Sequence, residues 1–120
     1  MEYINYLLLA LIVFFIVKRF IPTIGITNIS TAELKNQLND KSKQFVDVRT
    51  PGEFKGNHIK EFKNIPLNTL VQKAEKQLSK DEEVVVICAS GMRSQKASKL
   101  LKNAGFTNVT NVKGGMNAWR

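Results

Sequence analysis

The stretch VVVICASGMRS, Val84 to Ser94, places the only cysteine of a 120-residue chain directly after an apolar run. The run Val84–Cys88 is continuous and rich in β-branched residues, which is typical of a strand buried on both faces of a sheet. Beyond it, apolar residues recur at helical spacing and stop at Gly105, a signal for the end of a helix. The recurring residues are Ala97, Leu100, Leu101 and Ala104. The sequence therefore predicts a central strand that ends at Cys88, a tight loop, and a helix that begins near Ser94.

Short apolar runs and helical patterns alternate on both sides of this stretch. Strands are predicted at Phe45–Val48 and Asn108–Val112, with a weaker extended piece at Ile65–Leu67. Helices are predicted over residues 30–40, which open with a capping box, and over residues 70–78. Strands that alternate with helices predict an α/β fold, in which helices flank both faces of a mainly parallel central sheet.

Composition limits the classes of function. Hydrophobic residues make up 43% of the chain and charged residues 23%, which fits a compact domain. A single cysteine cannot form an intramolecular disulfide, and a free thiol fits a reducing compartment. The net charge of +8 suits anionic partners, but the lysines are scattered and no basic run is interleaved with aromatic residues, so no nucleic-acid partner is predicted. No metal-ligand cluster, P-loop or dinucleotide motif is present, so no metal or cofactor is predicted either.

The N-terminal segment is strongly apolar. Between Tyr3 and Ile21, only Asn5, Lys18 and Arg19 interrupt the apolar character. At ~1.5 Å per residue these residues form a helix of about 28 Å, close to the ~30 Å of a bilayer core. A cleavable signal peptide is disfavoured because the basic pair follows the apolar run and no small-residue cleavage site is present. A helix buried in a protein core or lying in a membrane interface is also compatible with the apolar run, although an interfacial helix needs a polar face, which Leu7–Val17 lacks.

A transmembrane anchor is the interpretation that fits these flanks best. Lys18 and Arg19 lie on the C-terminal side of the apolar run, so the positive-inside rule places the rest of the chain in the cytoplasm. We expect residues 1–25 to form a membrane-anchor helix and linker, and residues 26–120 to form the domain. The expected location is the cell membrane, with a single pass through residues 3–21 and the C-terminal domain on the cytoplasmic side.

The chemistry of Cys88 depends on the loop that follows it. Ligands bind at the carboxyl edge of a parallel sheet, and loop amides at the start of a helix stabilise an anion there. Such a site lowers the pKa of a thiol and favours a thiolate or a persulfide. Gly91 allows the backbone to curl, and Arg93 adds a positive charge. The alternative is that Cys88 is a small buried apolar side chain, the common fate of a free cysteine.

Three stretches in order resemble one known family. Cys88–Ser94 looks like the active loop of rhodanese-like domains, in which a cysteine at a strand end carries sulfur as a persulfide. The stretch DVRTPGEFKGNHI, Asp47–Ile59, resembles the upstream signature of that family, and GGMNAW, Gly114–Trp119, resembles its closing signature. Asn64–Leu67 fits the segment between them. The resemblance implies a rhodanese-like domain that acts as a sulfurtransferase of the thiosulfate sulfurtransferase type.

The same resemblance assigns roles to the residues of the loop. Cys88 stands in the nucleophile position, where it accepts sulfur from thiosulfate or a persulfide and passes it to a thiophilic acceptor. Arg93 either binds an anionic donor or orders the loop, and Ser94 either donates to the sulfur or caps the helix. Many active members carry Arg at the position of Ala89. The implied substrate-binding loop consists of Ala89, Ser90, Gly91, Met92, Arg93 and Ser94.

Four further residues of the upstream signature are predicted to support the loop. Asp47 and Arg49 flank a strand end, and we expect them to pair with each other rather than to act in catalysis. Glu53 is a candidate structural partner, with Arg49 as its expected counterpart. His58, the only histidine, is expected to form hydrogen bonds in a turn, with a role as general base for Cys88 as the alternative.

Three other classes of function are compatible with parts of this pattern. A non-catalytic module would keep the fold for protein interaction at the membrane. Related phosphatases use an active loop one residue longer than the six residues from Cys88 to Arg93, because phosphate is bulkier. A thiol redox protein would need a second, resolving cysteine, which the chain lacks. Neither the donor nor the acceptor protein follows from the sequence.

Overall fold

The computed structural model describes residues 2–20 and 25–120, with side chains described for residues 3–17 and 25–120. Six helices and five strands are present in these ranges. The helices are α1 (Glu2–Phe20), α2 (Thr31–Lys35), α3 (Pro51–Gly56), α4 (Leu70–Gln77), α5 (Met92–Asn103) and α6 (Gly115–Ala118). The strands are β1 (Ile26–Ile29), β2 (Lys43–Asp47), β3 (Lys63–Asn64), β4 (Glu83–Ile87) and β5 (Val109–Val112), and Leu67–Thr69 forms a 3-10 turn.

The five strands form one sheet in the order β1-β5-β4-β2-β3. Every pairing in it is parallel, with Val46 of β2 opposite Val86 of β4, and Val86 opposite Asn111 of β5. Strand β4 is central and is buried on both sides, which explains why its sequence is continuously apolar. The predicted parallel α/β sheet is confirmed, and all its carboxyl ends meet at one edge.

Helices cover both faces of the sheet, as predicted. Side chains alternate along β4, so Val84 and Val86 contribute to one core cluster while Val85 and Ile87 contribute to the other. The first cluster packs against α4 and α5, and the second packs against α2 and the C-terminal segment. Each fully buried valine or leucine in these layers stabilises the fold by about 1.5–3 kcal/mol.

Short elements account for the differences from the sequence-based prediction. Strand β1 and helices α3 and α6 are additional, and the helix predicted over residues 30–40 ends at Lys35. The extended piece predicted at Ile65–Leu67 is wrong in position, because the strand there is Lys63–Asn64. Pro66 follows, and since proline has no N–H to donate to a ladder, the strand stops before it and the 3-10 turn begins.

The N-terminal helix α1 stands apart from both core clusters. All side chains from Tyr3 to Val17 are exposed, although Asn5 is the only residue among them with a strongly polar side chain. None of the described residues belongs to a helix with both the length and the apolarity required to cross a membrane. The structure therefore gives no support to the prediction that residues 3–21 span the membrane. Residue 21, the last of the predicted span, and residues 22–24 of the predicted linker lie outside the described residues. The side chains of residues 18–20 also lie outside them.

Candidate active site

Cys88 is the first residue after the central strand β4, at the edge where the carboxyl ends of the strands meet. Its side chain is fully buried. The backbone turns sharply at Gly91, which is the N-cap of α5 and has a φ of +100°, a conformation that side chains with a Cβ rarely adopt. The strand, the loop and the helix therefore follow the predicted order, and α5 begins at Met92, two residues before Ser94.

The loop brings hydrogen-bonding groups to the sulfur. The N–H of Gly91 donates to Cys88 Sγ at 3.0 Å, and the Cys88 thiol lies 3.4 Å from Ser94 Oγ, to which it donates. Burial raises the pKa of the thiol, but the Ser94 hydroxyl and the amides of Ser94, Gly91 and Ser90 outweigh it, so the pKa of Cys88 is lowered overall. The site therefore favours the thiolate, the nucleophilic form of cysteine.

The Ser94 hydroxyl donates to the Gly91 carbonyl at 3.1 Å and makes no cap bond to the first amides of α5. Ser94 Oγ thus lies beside Sγ and accepts from the thiol, so the predicted donation of its hydroxyl to the sulfur stays a prediction. On ionisation of Cys88, a rotation of the hydroxyl would turn it from acceptor to donor, since a hydroxyl can serve as either.

Replacing Ser94 with Ala should raise the pKa of Cys88, because the thiolate loses a hydrogen-bond donor while burial continues to oppose its charge. The midpoint of the pH profile for alkylation by iodoacetamide should move upward, and the rate at pH 7 should fall by about fivefold. Ser98→Ala is the matched control, since the Ser98 hydroxyl donates to the Ser94 carbonyl and not to Sγ. An unchanged midpoint in Ser94→Ala would show that the hydroxyl does not stabilise the thiolate.

Arg93, in the first turn of α5, forms a two-point ion pair with Glu53 at the start of α3. The two guanidinium nitrogens lie 2.7 and 2.9 Å from the two carboxylate oxygens. The Arg93 hydrogen bond is the largest cause that holds the pKa of Glu53 at about 2, and the same contact raises the pKa of Arg93. Glu53 thus pairs with Arg93 rather than with Arg49, and the arginine orders the loop in this structure.

Replacing Glu53 with Gln should lower the free energy of unfolding at pH 7 by up to about 1 kcal/mol, because the pair is partly exposed. The Gln oxygen can still accept the Thr50 contacts that cap α3. Since the folded-state pKa of about 2 lies below the ordinary value of 4.5, the contribution is present above pH 4.5 and is lost as the pH falls through 2. The gap between the urea midpoints of the two proteins should therefore narrow as the pH falls from 4.5 to 2, and a gap that stays constant over this range would contradict this origin.

Asp47 and Arg49 form a buried pair at the end of β2, as predicted from the sequence. Arg49 Nη2 lies 2.8 Å from Asp47 Oδ2, and the Arg49 guanidinium also donates to the Asn57 carbonyl. Asn64 of β3 donates to the main-chain carbonyls of both Asp47 and Arg49. These contacts hold the chain that leads from β2 to α3, and so they fix the position of Glu53.

His58 makes its contacts within its own turn. Its Nδ1 lies 2.8 Å from the Phe54 carbonyl oxygen, and its ring stacks on the Phe54 ring with centroids 3.8 Å apart. The side chain is otherwise exposed. These partners match the predicted turn hydrogen bonding and give no geometric basis for a Cys-His couple.

Helix α6, which lies in the closing signature, holds the loop through two backbone hydrogen bonds. The N–H of Met116 donates to the Cys88 carbonyl at 2.7 Å, and the N–H of Asn117 donates to the Ala89 carbonyl at 2.9 Å. Gly115 has a φ of +57°, and a Cβ there would overlap the Cys88 carbonyl oxygen. The role of Gly115 was not assigned from the sequence, although two adjacent glycines directly after a strand are a signal of close backbone approach.

The remaining loop residues lie at the surface. Met92 is 78% exposed, Ser90 is exposed and Ala89 is partly buried. The loop therefore presents amides and a hydroxyl to the sulfur, while its single cation is held by Glu53. Residues 47–64 support this loop on one side and α6 supports it on the other.

Comparison with known proteins gives a consistent result. Residues 30–120 match the family model for the Rhodanese-like domain. The chain is 42% identical over 95 residues to "Putative sulfurtransferase YtwF" of Bacillus subtilis (strain 168), a match that covers 78% of this chain and 90% of that protein. It is 37% identical over 96 residues to "Putative sulfur carrier protein YrkF" of the same organism, with 79% of this chain and 51% of the relative covered. The chain thus spans about half the length of YrkF.

A solved structure agrees with the sequence relatives. The crystal structure of a rhodanese-like domain protein from Staphylococcus aureus superposes with a TM-score of 0.71 at 39% sequence identity. The match covers 78% of this chain and 91% of that chain.

Proposed function

Because this chain belongs to the Rhodanese-like domain family, we propose that it is a sulfurtransferase whose Cys88 carries sulfane sulfur as a persulfide. One observation carries the proposal: the buried Cys88 sulfur lies at the end of the central strand, where an amide and a hydroxyl favour its anion. The names of two relatives, "Putative sulfurtransferase YtwF" and "Putative sulfur carrier protein YrkF", support sulfur transfer in general. The use of thiosulfate or a persulfide as donor, and the persulfide intermediate on Cys88, are part of what we propose.

In the first half of the reaction, the Cys88 thiolate attacks the outer sulfur of the donor. With thiosulfate, the donor's S–S bond breaks, a new S–S bond forms on Cys88, and sulfite leaves with the electron pair of the broken bond. The enzyme-bound product is a persulfide anion, so charge and electrons balance without an oxidant. The amides around Sγ would stabilise this anion as they stabilise the thiolate.

In the second half, a nucleophile attacks the outer sulfur of the Cys88 persulfide. The S–S bond on the enzyme breaks, the sulfur leaves on the acceptor, and Cys88 returns as the thiolate that began the cycle. The transfer is therefore of the ping-pong type, in which donor and acceptor visit the same sulfur in turn.

Intact mass of the full chain tests this proposal. Brief exposure to thiosulfate or to a small persulfide should add the mass of one sulfur atom, and cyanide should remove it with release of thiocyanate. If neither donor adds sulfur to folded protein with a titratable thiol, the protein is a non-catalytic interaction module of this fold. Hydrolysis of a phosphate ester in the same preparation would instead indicate a phosphatase.

We further propose that α1 attaches the domain to the cell membrane, with the domain on the cytoplasmic side. The proposal is supported by fifteen consecutive exposed side chains, Tyr3–Val17, of which nearly all are apolar. Membrane pellets washed with alkaline carbonate should retain the full chain and release a chain that begins at Ile26. Equal release of both chains would show that α1 does not attach the protein to the membrane.

A further inference from the structure

A cavity of about 640 Å³ lies beside the candidate active site, bounded by the start of α3, the 3-10 turn, α4 and α5. Its apolar lining includes Val48, Leu67 and Leu100. Three cations also line it: Lys73 of α4, and Arg93 and Lys96 of α5. The cavity therefore combines an apolar surface with positive charge.

The cavity adjoins the packing around Cys88. The N–H of Val48 donates to the carbonyl of Ile87, the residue before Cys88, at 3.0 Å. Val48 and Cys88 belong to the same buried cluster, against which Leu67 packs. Arg93 belongs to the active loop and lines the cavity as well. A molecule held in the cavity is thus positioned at the same sheet edge as the sulfur.

The charge of this cavity is not neutralised by its own lining. No carboxylate side chain is among its lining residues, and Arg93 is already paired with Glu53. Among the described residues, Lys73 and Lys96 take part in none of the ion pairs, which are Lys43–Glu83, Arg49–Asp47, Lys80–Glu75 and Arg93–Glu53. These two ammonium groups are therefore available to an anionic ligand.

The size of the cavity indicates the class of that ligand. A volume of 640 Å³ lies within the range of about 300–1,000 Å³ typical of sites for small organic molecules. Thiosulfate and cyanide contain only a few atoms and would leave most of this volume empty. An organic molecule with an apolar portion and negative charges would match both the lining and the volume.

We propose that this cavity binds the sulfur acceptor, and that the acceptor is a small organic thiol bearing carboxylates. Its apolar portion would lie on Val48 and Leu67, and its carboxylates would pair with Lys73 and Lys96. This inference rests on the sulfurtransferase function proposed above and specifies the second half of that reaction.

The chemical step balances without another reactant. The Cys88 persulfide anion first takes up a proton from water. The acceptor thiolate then attacks the outer sulfur, the S–S bond to Cys88 breaks, and a new S–S bond forms on the acceptor. The acceptor leaves as a persulfide that retains the proton of the outer sulfur, and Cys88 leaves as a thiolate. Lys73 and Lys96 would act by raising the local concentration of the acidic thiol and by orienting it.

The test compares acceptors of different charge on sulfur-loaded full-length protein. Mercaptosuccinate supplies a thiol with two carboxylates, 2-mercaptoethanol a neutral thiol and cysteamine a cationic one. Loss of the sulfur mass is followed after rapid quenching, and each rate is divided by the thiolate fraction of the acceptor. We expect discharge by mercaptosuccinate to be about tenfold faster than discharge by 2-mercaptoethanol, and cysteamine to be slowest.

Variants locate this preference in the cavity. In the double variant Lys73→Gln, Lys96→Gln, the ratio of the mercaptosuccinate rate to the 2-mercaptoethanol rate should fall towards one. Lys99→Gln is the matched control, because Lys99 is an exposed lysine of the same helix that does not line the cavity, and it should keep the wild-type ratio. Thermal unfolding of each variant verifies that the fold is retained.

Two negative results have different meanings. If the wild-type protein never gains sulfur, the proposed function itself is wrong. If it gains sulfur and discharges it at equal rates to acidic, neutral and cationic thiols, the function stands and the acceptor site in this cavity is wrong. A charge preference that is unchanged in the double variant would likewise overturn the assignment to Lys73 and Lys96.

Discussion

Cys88→Ser is expected to lose sulfur loading completely and to reduce turnover of thiosulfate and cyanide by at least about a thousandfold. A serine hydroxyl stays protonated at neutral pH and forms no persulfide, so the first half of the reaction has no nucleophile. Cys88 is the only cysteine of the chain, and no second thiol can replace it. The measurement is the intact mass after exposure to thiosulfate, alongside the rate of thiocyanate formation.

Folding of this variant has to be verified separately. The Ser hydroxyl is slightly smaller than the thiol and can accept the Gly91 N–H, so the unfolding temperature should change little. Wild-type protein alkylated on Cys88 provides an independent control, because it keeps the chain intact and should be equally inactive. Turnover that survives in folded Cys88→Ser would show that the reaction does not pass through this sulfur.

Gly115→Ala is expected to destabilise the domain by about 2–4 kcal/mol and to disorder the active loop. The φ of +57° is already unfavourable for alanine, and the added Cβ would overlap the Cys88 carbonyl oxygen and lie 2.8 Å from the Ala89 carbonyl. The amide of Met116, which donates to Cys88, would have to move away. Urea unfolding should report the loss of stability, and the pH profile of Cys88 alkylation should report the change in the loop.

Gly52→Ala is the matched control for this substitution. Gly52 lies in α3, and nothing is within 4 Å of the position that its Cβ would take. Alanine there should leave sulfur loading unchanged and alter stability by less than about 1 kcal/mol, in the stabilising direction. If Gly115→Ala matched Gly52→Ala in stability and in loading, the close approach of α6 to the loop would not be needed for the site.

The local features of the site were predictable because short segments encode them. A continuous β-branched run specifies a buried strand, and Gly91 permits the positive φ at which α5 begins, so Val84 to Ser94 predicts its own conformation. The same holds for the capping box at Ser30, whose two partners are three residues apart. The resemblance of three ordered stretches to one family added the role that is proposed for Cys88.

The partner of the loop arginine was not predictable in this way. Glu53 and Arg93 are 40 residues apart, and several cations of the chain were possible partners for that carboxylate. Sequence proximity favoured Arg49, which the structure instead pairs with Asp47. Only the parallel arrangement of β2 and β4 brings the start of α3 beside the end of the loop.

The sequence alone determined which residues form the strand and the loop and which residue is the candidate nucleophile, since backbone conformation and hydrophobic burial along short segments depend on neighbouring residues. Tertiary structure decided which distant groups come together: Glu53 pairs with Arg93, and the amides of α6 donate to the carbonyls of Cys88 and Ala89. It also placed Lys73 and Lys96 around one cavity. The physical reason is that these contacts join elements far apart in the chain. Their geometry is set by strand order and by the packing of helices on the sheet, and no local pattern records it.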